Sequence, residues 1–236
     1  MIRDITIIHP SRGRPELCYD TAKLFLENSS QDSINYFVSI DENDPKKDFY
    51  INSKPDIVNL IVGETTSCIE SLNFAAEKVN FSDVLIVVSD DFICQKGWDK
   101  KVRETIQDKK DFVLKTSDGV EPWIVTFPII DRVYYNKFGY VYNPQYKHLF
   151  CDTEMTHIAE ITGKLIENKN IVFEHLATRA THDDEVNKKN NSTWWQGEST
   201  YLQRVKENFN LKEEEIIKKV SHSSHIEWLA CKGIKV

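Results

Sequence analysis

Apolar residues along the first half of this chain recur with two periods in turn. Ile5 to Ile8 is a short β-branched run that stops at His9-Pro10-Ser11-Arg12-Gly13-Arg14-Pro15. Leu17, Thr21, Leu24 and Phe25 then follow at helical spacing, so the segment reads as strand, loop and helix. Tyr36 to Ile40 predicts a second strand closed by Asp41-Glu42-Asn43-Asp44-Pro45, and Ile57 to Val62 a third closed by Gly63. Ile69, Leu72, Ala76 and Val79 share one helical face, with Thr65-Thr66-Ser67 supplying cap candidates. Val84-Leu85-Ile86-Val87-Val88 is apolar on both pleat faces, as a central strand covered by helices on both sides must be, and it ends at Ser89-Asp90-Asp91. This alternation predicts an α/β fold with a mostly parallel central sheet and flanking helices.

The pattern then changes. Trp98, Val102 and Ile106 mark a helix, Phe112 to Lys115 and Trp123 to Ile130 read as strands, and Met155, Ile158, Ala159 and Thr162 form a helical stripe ending near Gly163. Ile171-Val172-Phe173 predicts a last short strand before Glu174-His175. Residues 183–193 are polar without periodicity, which predicts a mobile surface loop and a candidate lid. Tyr201, Leu202, Val205 and Phe209, followed by Ile216, Ile217 and Val220, predict two amphipathic C-terminal helices.

Composition narrows the class. The chain has 236 residues, 40% hydrophobic and 28% charged, which suits a globular protein with a sizeable core and excludes disordered or collagen-like chains. The net charge of −7 argues against non-specific binding to nucleic acid or to an anionic membrane. Cys18, Cys68, Cys94, Cys151 and Cys231 are odd in number and widely spaced, the pattern of reduced packing thiols rather than of disulfides or a zinc cage. With no signal-peptide pattern and no long apolar stretch, the expected location is cytoplasmic, without a transmembrane segment.

In an open α/β sheet, ligands bind beyond the carboxyl ends of the strands, so Pro10 to Arg14, Asp41 and Ser89-Asp90-Asp91 should converge on one crevice. Adjacent carboxylates leaving an apolar strand need compensation, and a divalent cation with hard oxygen ligands is the simplest source. Taken alone, Ser-Asp-Asp fits a turn and helix cap equally well.

The motifs together resemble the GT-A glycosyltransferases, in particular family-two-like enzymes. They are Pro-Ser-x-x-Arg-Pro after the first strand, an acidic residue after the second, Asn73 on the helix before the apolar strand, and Asp-Asp at that strand's end. Gly97-Trp98, Phe138-Gly139-Tyr140, Phe150-Cys151-Asp152-Thr153-Glu154-Met155, Gly163-Lys164 and His175 follow in the family's order, over about residues 4–205. The resemblance implies one GT-A domain, with a nucleotide-sugar-binding half at about 1–97 and an acceptor half at about 98–236. It implies that Pro10, Ser11, Arg12, Arg14, Asp41, Asn73, Ser89 and Asp90 bind the donor nucleotide. Asp91 and His175 would hold Mn2+ or Mg2+, with His182 competing for the second place, and Asp152 would be the catalytic base. Ser89 departs from the family pattern, which has an acidic residue there.

The implied activity is metal-dependent transfer of a sugar from a nucleotide-sugar donor, a UDP-sugar being favoured, to an acceptor hydroxyl. Inversion is expected, because Asp152 is placed as a base and no second carboxylate is evident as a nucleophile. The acceptor stays open among a glycan, a protein, a small molecule and a modified DNA base. A nucleotidyltransferase would also use carboxylate-held Mg2+, but the chain offers only Gly13 near the first strand where such enzymes have a Gly-rich loop. A catalytically silent nucleotide- or sugar-binding module is the rival of a different class. Among the remaining features, His9 reads as structural, Trp194-Trp195 as aromatics that could stack a sugar or base but are more often packed against the core, and Glu154 as the alternative base, about 200° around the helix from Asp152.

Overall fold

The computed structural model describes residues 3–30, 33–79, 82–176, 188, 192–218, 230 and 233. Strands β1 (Ile5–Pro10), β2 (Ile34–Asp41), β3 (Asn59–Gly63) and β4 (Val84–Val87) alternate with helices α1 (Pro15–Glu27), α2 (Lys47–Ser53) and α3 (Cys68–Lys78). The four strands pair in parallel in the order β3-β2-β1-β4. The chain continues through β5 (Phe92–Cys94), α4 (Trp98–Ile106), β6 (Val113–Ser117), β7 (Ile129–Asp131) and α5 (Arg132–Phe138). It ends with α6 (Cys151–Ile161), β8 (Leu165–His175), α7 (Trp194–Lys206) and two 3-10 turns at Asn208–Asn210 and Glu213–Glu215. All strands join one mostly parallel sheet, in the order β3-β2-β1-β4-β7-β6-β8-β5. The antiparallel pairs are β4–β7, β6–β7 and β5–β8.

The core lies on both faces of this sheet. Val84, Ile86 and Val88 enter one cluster with Phe25 and Trp98, while Leu85 enters the other with Leu72 and Ile158. That division is the pleat alternation expected of a central strand covered on both faces, and each such buried side chain contributes about 1.5–3 kcal/mol. At the start of α3 the Ser67 hydroxyl accepts from the Glu70 amide at 3.2 Å, so the sequence's cap triplet resolves to its last member.

Four expectations change. The strand expected over Trp123 to Ile130 shrinks to Ile129–Asp131, because residues 118–128 form a loop folded around the buried Asp118. Its carboxylate accepts from the amides of Val120 and Glu121 and from the Thr126 hydroxyl, at 2.7–2.9 Å, and Pro122 and Pro128 have no amide to offer a ladder. Helix α5, unforeseen, is capped by the Asp131 side chain on the Val133 amide and stopped by Gly139 at φ 74°. Strand β8 runs for 11 residues rather than three, since its polar first half pairs with β6 while exposing alternate side chains. Where the second C-terminal helix is expected to begin, the described residues form the turn at Glu213–Glu215 and extended backbone at Ile216, while Val220 lies outside them. Residues 219–229 and most of the expected loop at 183–193, like His182, lie outside the described residues.

Candidate active site

Three strand ends meet at the carboxyl edge of the parallel strands. Leaving β1, Ser11 continues the pairing through its amide to Ser39 O at 2.9 Å, and its hydroxyl donates to Asp90 Oδ1 at 2.7 Å. Tyr50 on α2 bonds the same hydroxyl at 2.6 Å and accepts from the Arg14 amide at 3.1 Å. Arg14 Nη1 lies 3.8 Å from Asp90 Oδ2. On the neighbouring strand end, Asp41 accepts from Arg12 Nη1 at 2.6 Å and from the Thr65 hydroxyl. Ser11, Arg12, Arg14, Asp41 and Asp90 are thus joined around one loop, and Pro10 ends the strand that carries it.

The two aspartates of the strand end diverge. Asp90 is buried and turned inward, where His9 Nε2 meets its Oδ1 at 2.9 Å. Its charge is therefore compensated by His9, Ser11 and Arg14, and the divalent cation invoked for the pair is not required by Asp90. His9, Cys18 and Asp90 bring possible metal-ligating atoms within 4.8 Å of one another. Both ring nitrogens of His9 already have oxygen partners, Asp90 on one side and the Tyr36 hydroxyl at 2.8 Å on the other, so hydrogen bonds account for this cluster. Burial opposes charge on His9, but the Cys18 sulfur and the Asp90 carboxylate outweigh it and raise the imidazole to about 10.

Asp91 faces the opposite way and is only half-buried. Strand β5 begins one residue later and pairs antiparallel with β8, so that Phe92 stands opposite His175. The Leu176 amide donates to Asp91 O at 2.8 Å, and the Phe92 ring stacks on the His175 imidazole at 4.6 Å. This register brings His175 Nε2 to 3.2 Å from Asp91 Oδ2, across 84 residues of sequence. The second Asp91 oxygen accepts from the Ser89 hydroxyl, which gives the serine at the acidic motif's first position a role orienting Asp91. Burial alone would raise Asp91, yet the bonds from His175 and Ser89 prevail and hold it at about 2. The bond to Asp91 raises His175.

Asp152 opens α6, half-buried, with Oδ1 accepting from the Thr153 amide at 2.7 Å. Among the described residues its other oxygen has no hydrogen-bond partner. Burial raises this carboxyl, and the Glu121 charge adds to the effect. Residues 149–150 bring Asp152 into place: Phe150 has φ 71°, a left-handed conformation unusual for a side chain of this size. Glu154, the alternative base, points into the interior instead. Its carboxylate is held by Arg204, Asn143 and the Tyr146 hydroxyl at 2.7–3.2 Å, away from solvent. Asn73 also serves packing, joining α3 to the next crossover through the backbone of Val141 and Tyr142 at 2.7–3.2 Å. His148 was not foreseen. Its imidazole is half-buried and lowered by burial, and Asp91 is the charge that acts on it. No motif marks it; only its place in the segment leading to α6 could have suggested it.

Trp194 and Trp195 are not packed into the core. They are 48% and 75% exposed at the start of α7, and Trp123 in the 118–128 loop is 44% exposed. Among the described cysteines Cys18, Cys94 and Cys151 are buried and Cys68 is half-buried; Cys231 lies outside the described residues.

No protein-family model and no curated protein matches this sequence. Solved structures do. The mannosyltransferase PcManGT from Pyrobaculum calidifontis, solved with GDP-Man and Mn2+, aligns with a TM-score of 0.58 and 9% identity over 100% of this chain and 81% of that one. S. aureus TarS aligns with a TM-score of 0.60 and 11% identity, over 90% of this chain and 46% of that one. The chain has a GT-A-like glycosyltransferase fold.

Proposed function

We propose that the protein is a metal-dependent glycosyltransferase that moves a sugar from a nucleotide diphosphate sugar to an acceptor hydroxyl with inversion. The observation that carries this reading is the pairing of Asp91 with His175 just beyond the end of β4, beside the loop organised by Asp90. An ionised carboxylate and an imidazole at one open position form a donor set that suits Mn2+ or Mg2+. When bound, such an ion would neutralise charge developing on the departing diphosphate. Arg14, 21% exposed at its side chain beside the crevice, adds a cation to the same end of the site.

Asp152 takes the acceptor's proton in this reading. Its raised pKa makes it a stronger base than an ordinary aspartate, and among the described residues its second oxygen has no hydrogen-bond partner. Arg12 and Asp41, joined at 2.6 Å, form the wall on which the nucleoside of the donor would rest. GDP-Man in PcManGT makes a guanosine donor as reasonable a first candidate as a uridine one.

Calorimetry with GDP-mannose and UDP-glucose, with and without Mn2+, tests this. One donor should bind in a Mn2+-dependent manner, and Asp91→Asn should abolish that dependence with an unchanged unfolding midpoint. Unchanged Mn2+-dependent affinity in Asp91→Asn would remove the assignment. Release of pyrophosphate instead of nucleoside diphosphate would indicate nucleotidyl transfer, and a donor that binds but never turns over would indicate a silent module.

A further inference from the structure

We infer that Trp194, with Trp195 beside it, is an acceptor platform that stacks on the apolar face of a sugar ring, so that the acceptor is itself a glycan or glycoside. This inference rests on the glycosyltransferase reading and concerns the far side of the same site. Each indole carries a large apolar surface whose exposure to water is unfavourable. Of the four tryptophans among the described residues, Trp98 is fully buried, while Trp123, Trp194 and Trp195 are open. All three open ones sit on the two segments that adjoin Asp152. Trp123 shares its loop with Glu121, whose charge acts on Asp152. Trp194 meets Phe150, two residues before Asp152, at 5.1 Å between ring centroids and 72° between planes.

The approach of α7 to this point is built into the backbone. A Cβ on Gly197 would lie 2.6 Å from Leu149 O and 3.0 Å from the Phe150 ring, so only glycine lets the helix come this close. Gln196 Nε2 adds a bond to Gln145 O at 2.9 Å. The helix that bears the indoles is thereby locked to the segment that delivers the base. A rigid aromatic surface on the helix held against the segment before Asp152, with the polar Gln196 next in the same helix, matches a sugar ring: carbon-bound hydrogens on one face and hydroxyls around the edge. A free amino-acid hydroxyl or small alcohol offers no such face.

The test uses the full chain with isotope-labelled tryptophan, whose indole N–H signals are assigned by single Trp→Phe variants. The probes are methyl β-glucoside, methyl α-mannoside, cellobiose, maltose and diacetylchitobiose, added without nucleotide. At least one should shift the Trp194 signal saturably and leave Trp98 unmoved. Trp194→Ala should weaken that sugar's binding about three- to tenfold, and Trp194→Phe should restore part of it, at an unfolding midpoint close to the parent's. The platform is refuted if no probe shifts Trp194, or if Trp194→Ala leaves the affinity unchanged. It is equally refuted if the signal responds only to protein concentration, which would mark the indoles as a contact between copies, or only to nucleotide. Donor calorimetry on the same sample separates the two readings. Donor binding with silent tryptophans removes the platform alone; a shifted Trp194 without any donor binding leaves a sugar site and removes glycosyl transfer.

Discussion

Replacing Glu154 by Gln removes one charge from a buried pair and leaves the other. Arg204 and Glu154 have side-chain exposures of 3% and 2%, and both carboxylate oxygens accept from the guanidinium at 2.9–3.2 Å. The Tyr146 hydroxyl at 2.7 Å and Asn143 Nδ2 at 2.9 Å complete the set. With Gln in place, Arg204 keeps its bond to Phe209 O but faces a neutral amide in a site closed to water. Breaking a buried pair in this way costs about 3–5 kcal/mol. At about 2–4 °C per kcal/mol for a chain of this size, the midpoint should fall by about 6–20 °C. Urea and thermal unfolding of Glu154→Leu, Arg204→Met and the double variant Glu154→Leu with Arg204→Met form a cycle, with Glu154→Gln measured beside it. The double variant should be less destabilised than the sum of the single changes, because it leaves no unpaired charge, although Tyr146 and Asn143 still lose an acceptor at about 1–3 kcal/mol each. A Glu154→Gln midpoint within about 1 °C of the parent, or a cycle without coupling, would refute the argument. Donor affinity measured below the melting range should stay near the parent value, since Glu154 does not face the crevice.

The base assignment predicts that Asp152→Asn keeps donor affinity while turnover drops about 10²–10⁴-fold, and near-normal transfer would exclude it. His9 is raised in the folded state from 6.5 to about 10. Its contribution to stability is therefore complete below about pH 6.5 and is lost as pH climbs toward 10, with a slope of up to about 1.4 kcal/mol per pH unit. Urea midpoints across that range should decline less steeply in His9→Gln; parallel declines would mean that His9 is not charged. Burial raises Cys68 and Cys94 to about 12, with the Asp90 and Asp41 charges adding to the effect at Cys68. Neither thiol should react with iodoacetamide in the native protein at pH 8, although both should in urea. Rapid native labelling of Cys68 by mass spectrometry would contradict this.

Apart from α2, which no apolar period announced, the parallel half of the fold was legible because its signals are local. Each strand from Ile5 to Val88 is a compact apolar run, and Ser67 and the Pro10 to Pro15 loop punctuate the run in the expected places. The second half hides its elements. Half of β8 is polar because alternate side chains meet water, and the 118–128 loop carries apolar residues that imitate a strand while Asp118 folds it. Helix α5 was announced by Asp131 and Gly139, but seven residues are too few for a clear period. At the site, strand-end position foretold that the loop after β1, Asp41 and Asp90 would gather. Only the family resemblance separated Asp91 from Asp90; the residue pattern itself did not, since the inward turn depends on His9 being fully buried beneath Asp90. The pairing of Asp91 with His175 depends on strand register, a long-range property. The exposure of Trp194 and Trp195 depends on how close Gly197 lets α7 approach.

Strand β5 follows β4 by a few residues in sequence yet lies at the far end of the sheet, beyond β7, β6 and β8. The loop carrying Asp90 and Asp91 is therefore stitched into both parts of the molecule, upstream through β4 and downstream through β8. A cut near residue 97 would sever the chain without separating two working modules. The upstream piece would keep Asp91 but have no strand against which to hold β5. During synthesis, Asp91 must wait until residue 175 has been made before its imidazole partner arrives, so assembly of this corner is a late event. For the same reason a graft of a foreign acceptor half would have to supply a strand in the register of β8, with a histidine opposite Phe92. Recombination among proteins of this architecture is thus constrained at an edge strand of three residues.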